Sequence, residues 1–242
     1  MTLAEYLAAA AMRLKTASVD QPERQASSLL KFVLDRPASF LIAHPEYELS
    51  GDEAAAFAVA VERRSTREPF QYIVGRQEFY GLDFVVEPEV LIPRPETEIL
   101  VEAAIAELSC LQTPRFCEVG VGSGCVSISI LVNLPNAKAV GVDVSRSAIA
   151  VAERNAVTHN VTDRFELIES DLFANIKGRF DLIVSNPPYI PVEDIETLQI
   201  EVRDYEPLTA LSGGPGGLDI VKRIISEAPV HLVTSGSLIM EI

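Results

Sequence analysis

Five residues, Gly120-Val121-Gly122-Ser123-Gly124, stand between an apolar run, Phe116-Cys117-Glu118-Val119, and a helical stretch from Cys125 to Asn133. Three glycines at alternate positions let a backbone turn sharply, and the helix that follows opens with unpaired N–H groups. Strand, glycine turn and helix in that order restrict the chain to an α/β architecture with a ligand lying against the turn. The alternation continues. A strand over 137–142 ends in Asp143, a helix runs from Ser145 to Asn160, and a strand over 165–168 leads to Ser170-Asp171-Leu172-Phe173. Phe180-Asp181-Leu182-Ile183-Val184 then reads as a buried parallel strand, and Ser237 to Ile242 as a fifth. The fold class is α/β, with a doubly wound sheet.

Directly after that buried strand and Ser185 comes Asn186-Pro187-Pro188-Tyr189. Open α/β sheets bind ligands outside the carboxyl ends of their strands, which is where this tetrapeptide falls. Each proline fixes its own φ and drives the residue before it into extended geometry, so Asn186 and Pro187 are expected to be stiff. The side-chain oxygen of Asn186 and the carbonyl of Pro187 can then accept both hydrogens of one planar NH2 group. Such a nitrogen needs help: amide resonance holds its lone pair against a rotational barrier of about 18–20 kcal/mol. Two acceptors return electron density to nitrogen. Tyr189 can stack on a flat substrate or on a cationic donor. A rigid turn that merely ends a strand would carry the same four residues.

The carboxylates narrow the ligand. Asp143, about twenty residues past the glycine turn, is placed to accept from both hydroxyls of a ribose. Asp171 can accept from an adenine amino group while Leu172 packs on the ring. A nicotinamide dehydrogenase shows a similar turn, but its fingerprint requires glycine where Cys125 stands. Glu118, Asp143 and Asp171 instead make an acidic pocket suited to the positive sulfur of S-adenosylmethionine, although each could equally serve as a cap or turn residue.

Ahead of this domain, residues 1–68 carry helical periodicity. Leu3, Tyr6, Leu7, Ala10, Ala11 and Leu14 form one stripe, Asp20 and Glu23 flank Pro22 as a capping box, and further helices start near Pro37 and Asp52. Residues 69–93 switch to strand-like composition. Gln71 to Gly75 and Glu78 to Val86 read as the two arms of a hairpin-like linker. The Pro-flanked Arg94 then leads into a helix ending near Leu108, a segment able to lid a pocket.

A net charge of −15 opposes tight binding to DNA phosphates. Cys110, Cys117 and Cys125 form neither a disulfide framework nor a metal site, and His44, His159 and His231 lack ligand spacing, so no metal is expected. No apolar run reaches membrane-spanning length and no signal segment precedes the first helix, which leads us to expect a cytoplasmic protein.

Two signatures together, Glu118 to Gly124 and Asn186 to Tyr189, resemble those of the amino-group class of S-adenosylmethionine-dependent methyltransferases. Pro69 to Gly75, Phe79-Tyr80-Gly81, Val90 to Glu98, Tyr205-Glu206-Pro207 and Ala210 to Gly214 are similar to one family within it, the bacterial release factor glutamine methyltransferases. The resemblance implies a Rossmann-like methyltransferase domain over 94–242, behind a helical release-factor-recognition domain and a β-hairpin linker. It further implies methylation of the glutamine in the Gly-Gly-Gln motif of class I peptide chain release factors. By it Gly120, Val121, Gly122, Ser123, Gly124, Asp143, Asp171, Leu172 and Asn186 surround the donor, with Glu118 beside them, and Asn186, Pro187, Pro188 and Tyr189 hold the glutamine. The family more often has Asp at Glu118, Thr at Val121 and Asp at Gly216. It also continues through a helix and two strands beyond Ile242, so a shortened chain with an unpaired sheet edge, an aggregation liability, is expected; the protein is separately expected to be a monomer.

Overall fold

A computed structural model describes all 242 residues, which group into two compact units. The first comprises Met1–Gly75 with Ile200–Tyr205. Its helices are α1 (Leu3–Thr16), α2 (Pro22–Leu34), α3 (Ala38–Ala43), α4 (Gly51–Ser65) and α5 (Phe70–Val74). Leu3, Leu14, Leu29, Leu30, Phe57 and Val61 meet in one apolar core, each from the buried stripe of its helix. Capping boxes close the starts of α1 (Thr2 with Glu5) and α4 (Ser50 with Glu53). The box expected at Asp20 and Glu23 does not form. The residue that precedes α2 is Gln21, in left-handed geometry and without a side-chain cap, so Asp20 lies one position too early. Within the same unit Glu201 accepts from Arg64 at 2.9 Å and Arg67 at 2.6 Å. Burial opposes its ionisation, yet these bonds bring its pKa down to about 2.

The expected strand at Gln71–Gly75 is instead helix α5. Pro69 precedes it and Gly75 ends it at φ 74°, punctuation that suits a short helix, while Tyr72 and Ile73 fill the core as helical residues.

The second unit, Arg76–Gln199 and Glu206–Ile242, begins with an antiparallel hairpin of β1 (Arg76–Phe79) and β2 (Leu82–Val85). Tyr80 and Gly81 both have positive φ, the geometry of a tight hairpin turn. Then come α6 (Glu98–Leu108), β3 (Arg115–Val119), α7 (Cys125–Asn133), β4 (Lys138–Asp143), α8 (Arg146–Thr158), β5 (Phe165–Glu169), β6 (Phe180–Ser185), α9 (Asp219–His231) and β7 (Leu232–Met240). The sheet runs β5-β4-β3-β6-β7 and every pairing is parallel. Alternate residues feed two buried faces. Phe116, Leu182 and Val184 pack with α6, α7 and α8, while Cys117, Val140 and Ile183 pack with Ile224 and Ala228 of α9. No helix links β5 to β6; Leu172, Phe173 and Ile176 cover that part of the sheet instead.

Strand order reverses between β3 and β6, so their carboxyl ends open a crevice, the place where doubly wound sheets take ligands. Val119 pairs with Ser185 in register, and the Ser185 hydroxyl donates to the Val119 carbonyl at 2.7 Å. Two motifs far apart in sequence thereby start side by side.

Candidate active site

The glycine turn leaves β3 with Gly120, Gly122 and Gly124 at φ 77°, 51° and 80°. A Cβ at Gly124 would be strained, standing 3.0 Å from Ile128 Cδ1 in already left-handed backbone. The Gly120 and Val121 amides both donate to the Val142 carbonyl at 2.9 Å, tying the turn to the end of β4. Asp143 completes that tie: its Oδ2 accepts from Gly122 N at 3.0 Å and its Oδ1 from Ser145 N at 2.9 Å. Burial raises the Asp143 pKa, and the bonds from Ser145 and Gly122 work against the rise.

Glu118 lies deeper, 3% exposed, and its Oε2 accepts from Ser127 N in the first turn of α7 at 2.9 Å. Burial pushes its pKa up to about 8, against the pull of Ser127 and helped by the nearby Asp143 charge. Of the three acids expected to make the pocket acidic, Glu118 is thus the one whose ionisation burial opposes most.

One cavity of about 430 Å³ gathers these groups. Glu118, Gly120, Val121, Gly122, Asp143, Asp171, Leu172, Asn186, Pro187 and Pro188 all line it. Three of the expected residues lie outside the lining. Ser123 is 2% exposed and gives its carbonyl to Asn155, Gly124 serves as the cap of α7, and Tyr189, next along from Pro188, is 43% exposed. Asp171 reaches the cavity but its carboxylate also pairs with Arg223 at 3.1 Å. Leu172 holds φ at 48°, a strained value for a branched side chain and one that marks this loop end as specially shaped.

The segment before α6, read from its prolines as able to lid a pocket, lines the cavity, and what sequence reading missed is its anchor on Glu206. Ile92, Arg94 and Thr97 come from the segment before α6, Glu206 and Pro207 from the segment after residue 205. Arg94, Thr97 and Pro207 line the cavity. Arg94 Nη2 donates to Glu206 Oε1 at 2.5 Å and Ile92 N donates to Oε2 at 3.2 Å. The Glu206 side chain is 1% exposed, and burial raises its pKa even with Arg94 beside it. Thr97 Oγ1 accepts from Asn186 Nδ2 at 3.1 Å. The prolines around Arg94 and the acid of Tyr205-Glu206-Pro207 were visible in the sequence, but nothing local joined them.

Comparison with known proteins bears on the same two units. Residues 5–75 match the PrmC N-terminal domain and residues 96–200 the methyltransferase small domain. The release factor glutamine methyltransferase of Geobacter sulfurreducens is 50% identical over 195 residues, covering 80% of this chain and 67% of that protein. Its namesake in Koribacter versatilis is 42% identical over 245 residues, covering 100% of this chain and 86% of that protein. Among solved structures, the hMettl16 catalytic domain in complex with MAT2A 3'UTR hairpin 6 aligns with a TM-score of 0.52 at 18% identity. That alignment covers 74% of this chain and 63% of that one, a likeness of fold. The chain belongs to the release factor glutamine methyltransferase family, enzymes that take their methyl group from S-adenosylmethionine.

Proposed function

We propose that this protein methylates the side-chain amide nitrogen of the glutamine in the Gly-Gly-Gln motif of class I peptide chain release factors. The observation that carries the reading is the juxtaposition of Asn186 and Pro187 with the glycine turn and Asp143 in one cavity. These residues fit the donor. A glycine turn without bulky side chains, a carboxylate at the end of β4 and apolar walls from Leu172 and Val121 suit a nucleoside, and no cluster of basic groups calls for a pyrophosphate. When bound, S-adenosylmethionine supplies an electrophilic methyl carbon, which the amide nitrogen takes as the carbon–sulfur bond breaks and a neutral thioether leaves.

The chain's own residues make that nitrogen available. Asn186 Oδ1 and the Pro187 carbonyl accept one N–H each, opposing amide resonance and stabilising the positive charge that grows on nitrogen. Because both sit on a proline-stiffened segment, little reorganisation is needed as the bond forms. The methylated amide then loses its proton to water, so no strong base is required. The two glycines before the substrate glutamine would let the extended backbone pass close to Pro187 and Pro188.

The helical unit is the element we assign to release-factor recognition, with the protein acting as a cytoplasmic monomer. No helix is long and apolar enough to cross a membrane. An acidic chain of net charge −15 does not favour a DNA substrate. Incubation with methyl-labelled donor and either purified release factor or duplex DNA, followed by peptide mass spectrometry, tests the assignment. Label on the glutamine of Gly-Gly-Gln supports it; label on adenine, or none, overturns it.

A further inference from the structure

We infer that Arg94 is a donor-binding residue: its guanidinium, aimed by the buried Glu206, holds the carboxylate at the amino-acid end of S-adenosylmethionine. The inference rests on the methyl donor of the family and deepens the function proposed above without depending on its protein substrate.

The methionine part of the donor ends in an ammonium and a carboxylate. A carboxylate drawn out of water costs free energy unless a cation or several N–H groups receive it. The glycine turn and helix start, where an anion would ordinarily be taken, are largely committed. The Gly120 and Val121 amides are given to the Val142 carbonyl, Gly122 N to Asp143 and Gly124 N to the Val121 carbonyl. Ser127 N, in the first turn of α7, already holds Glu118. Among the side chains that line the cavity, Arg94 is the single basic one.

Position agrees with charge. The carboxyl ends of β5, β4, β3 and β6 follow one another along the sheet. Asp171 lies just past the first and Asp143 ends the second, the side that suits the nucleoside, which leaves the amino-acid end of the donor to the side of β3 and β6. The segment that carries Arg94 reaches that side, because its Thr97 bonds Asn186, just past β6, at 3.1 Å. Arg94 is also prepared. Its Nη2 is fixed on Glu206 Oε1 at 2.5 Å, Ile92 N holds the second oxygen of that acid at 3.2 Å, and a proline stands on either side. Nε and Nη1 make no bond within the chain and keep their N–H groups for a ligand. A guanidinium held in this way loses little further freedom on binding, and its planar fork matches a carboxylate.

Decarboxylated S-adenosylmethionine keeps the sulfonium and the amine, so its difference from the intact donor isolates the carboxylate. By calorimetry, wild type should bind the intact donor about 10- to 100-fold more tightly than the decarboxylated one, the scale of a hydrogen bond to a charged group. Arg94→Met should abolish that preference by weakening the intact donor, while the decarboxylated one binds within about twofold of its wild-type affinity. Arg94→Lys, a charge without the fork, should keep part of the preference. In wild-type protein the Arg94 Nε resonance should shift on adding the intact donor and not on adding the decarboxylated one. A wild type without preference, an R94M chain that retains it, an unmoved Nε resonance, or an R94M chain weakened equally toward both compounds would overturn the inference, the last because it marks a residue that only holds its own segment in place. If R94M does not fold, R94M combined with Glu206→Gln leaves no buried charge unpaired and carries the same comparison. A chain that shows the preference yet leaves the release factor unlabelled fails the substrate assignment alone, and the role of Arg94 stands.

Discussion

Glu118 shows how one residue can serve packing and electrostatics with opposite demands. Its carboxyl closes the first turn of α7 through Ser127 N, yet full burial lifts its pKa from 4.5 to about 8. A carboxyl held above its unfolded value binds more protons in the folded chain across that window. The folded state therefore loses stability as pH rises from 4.5 through about 8. Glu118→Gln should flatten this slope, which chemical denaturation at both ends of the window measures; an unchanged slope would remove the buried acid from the account. Because a cationic donor favours the carboxylate, donor binding near neutrality should release a proton, seen as a buffer-dependent binding enthalpy that E118Q abolishes. At Asn186 the expectation is harsher: Asn186→Ala should lower kcat about 100-fold with little change in donor affinity, the scale of one lost preorganised partner. Near-normal turnover would contradict the amide-holding role. Among single residues the sequence was legible where chemistry is local. Gly122, Asp143, Asn186 and Pro187 declare themselves by spacing and by the strand before them, and all four line the cavity. Thr97 and Glu206 do not, because their partners lie 89 and 112 residues away.

Elements follow the same division. The alternation from β3 to β6 was readable because each strand is a short apolar run and each helix a longer one, and the parallel order places the carboxyl ends together. Residues 71–74 misled because aromatic and β-branched side chains favour strands, while Pro69 and the left-handed Gly75 set the ends of a helix. Segment 92–97 was readable as one able to lid a pocket, but its joining to Glu206 was not. Its polar anchor gives a prediction: Arg94→Ala strands the buried Glu206 carboxylate and should cost about 1–3 kcal/mol in unfolding free energy. Glu206→Gln in the same background removes the charge and should recover part of that loss. Equal stability of wild type and R94A in denaturant titration would show the segment to be held by packing alone. The glycine turn is less forgiving. Gly124→Ala adds a Cβ in left-handed backbone 3.0 Å from Ile128, so weaker donor binding by calorimetry is expected; unchanged affinity would remove turn geometry from the account.

At the scale of the molecule, two units with separate cores divide the work in our account: the helical one recognises the protein substrate and the sheet holds the chemistry. What the fold contributes is adjacency. Strands β3 and β6 are neighbours because the strand order reverses between them, and that reversal brings the glycine turn beside the tetrapeptide Asn186 to Tyr189. The net charge of −15 fits a protein or peptide substrate better than nucleic acid. The account turns on an oxygen pair that makes a carboxamide nitrogen reactive. Its most direct measurement is the location of methyl label after single-turnover reaction with a release factor, read by fragment-ion mass spectrometry. The account predicts one methyl group on the side-chain nitrogen of the Gly-Gly-Gln glutamine, lost when that glutamine is changed and when Asn186 is replaced by alanine. Label on any other atom, or label undiminished without Asn186, would contradict it.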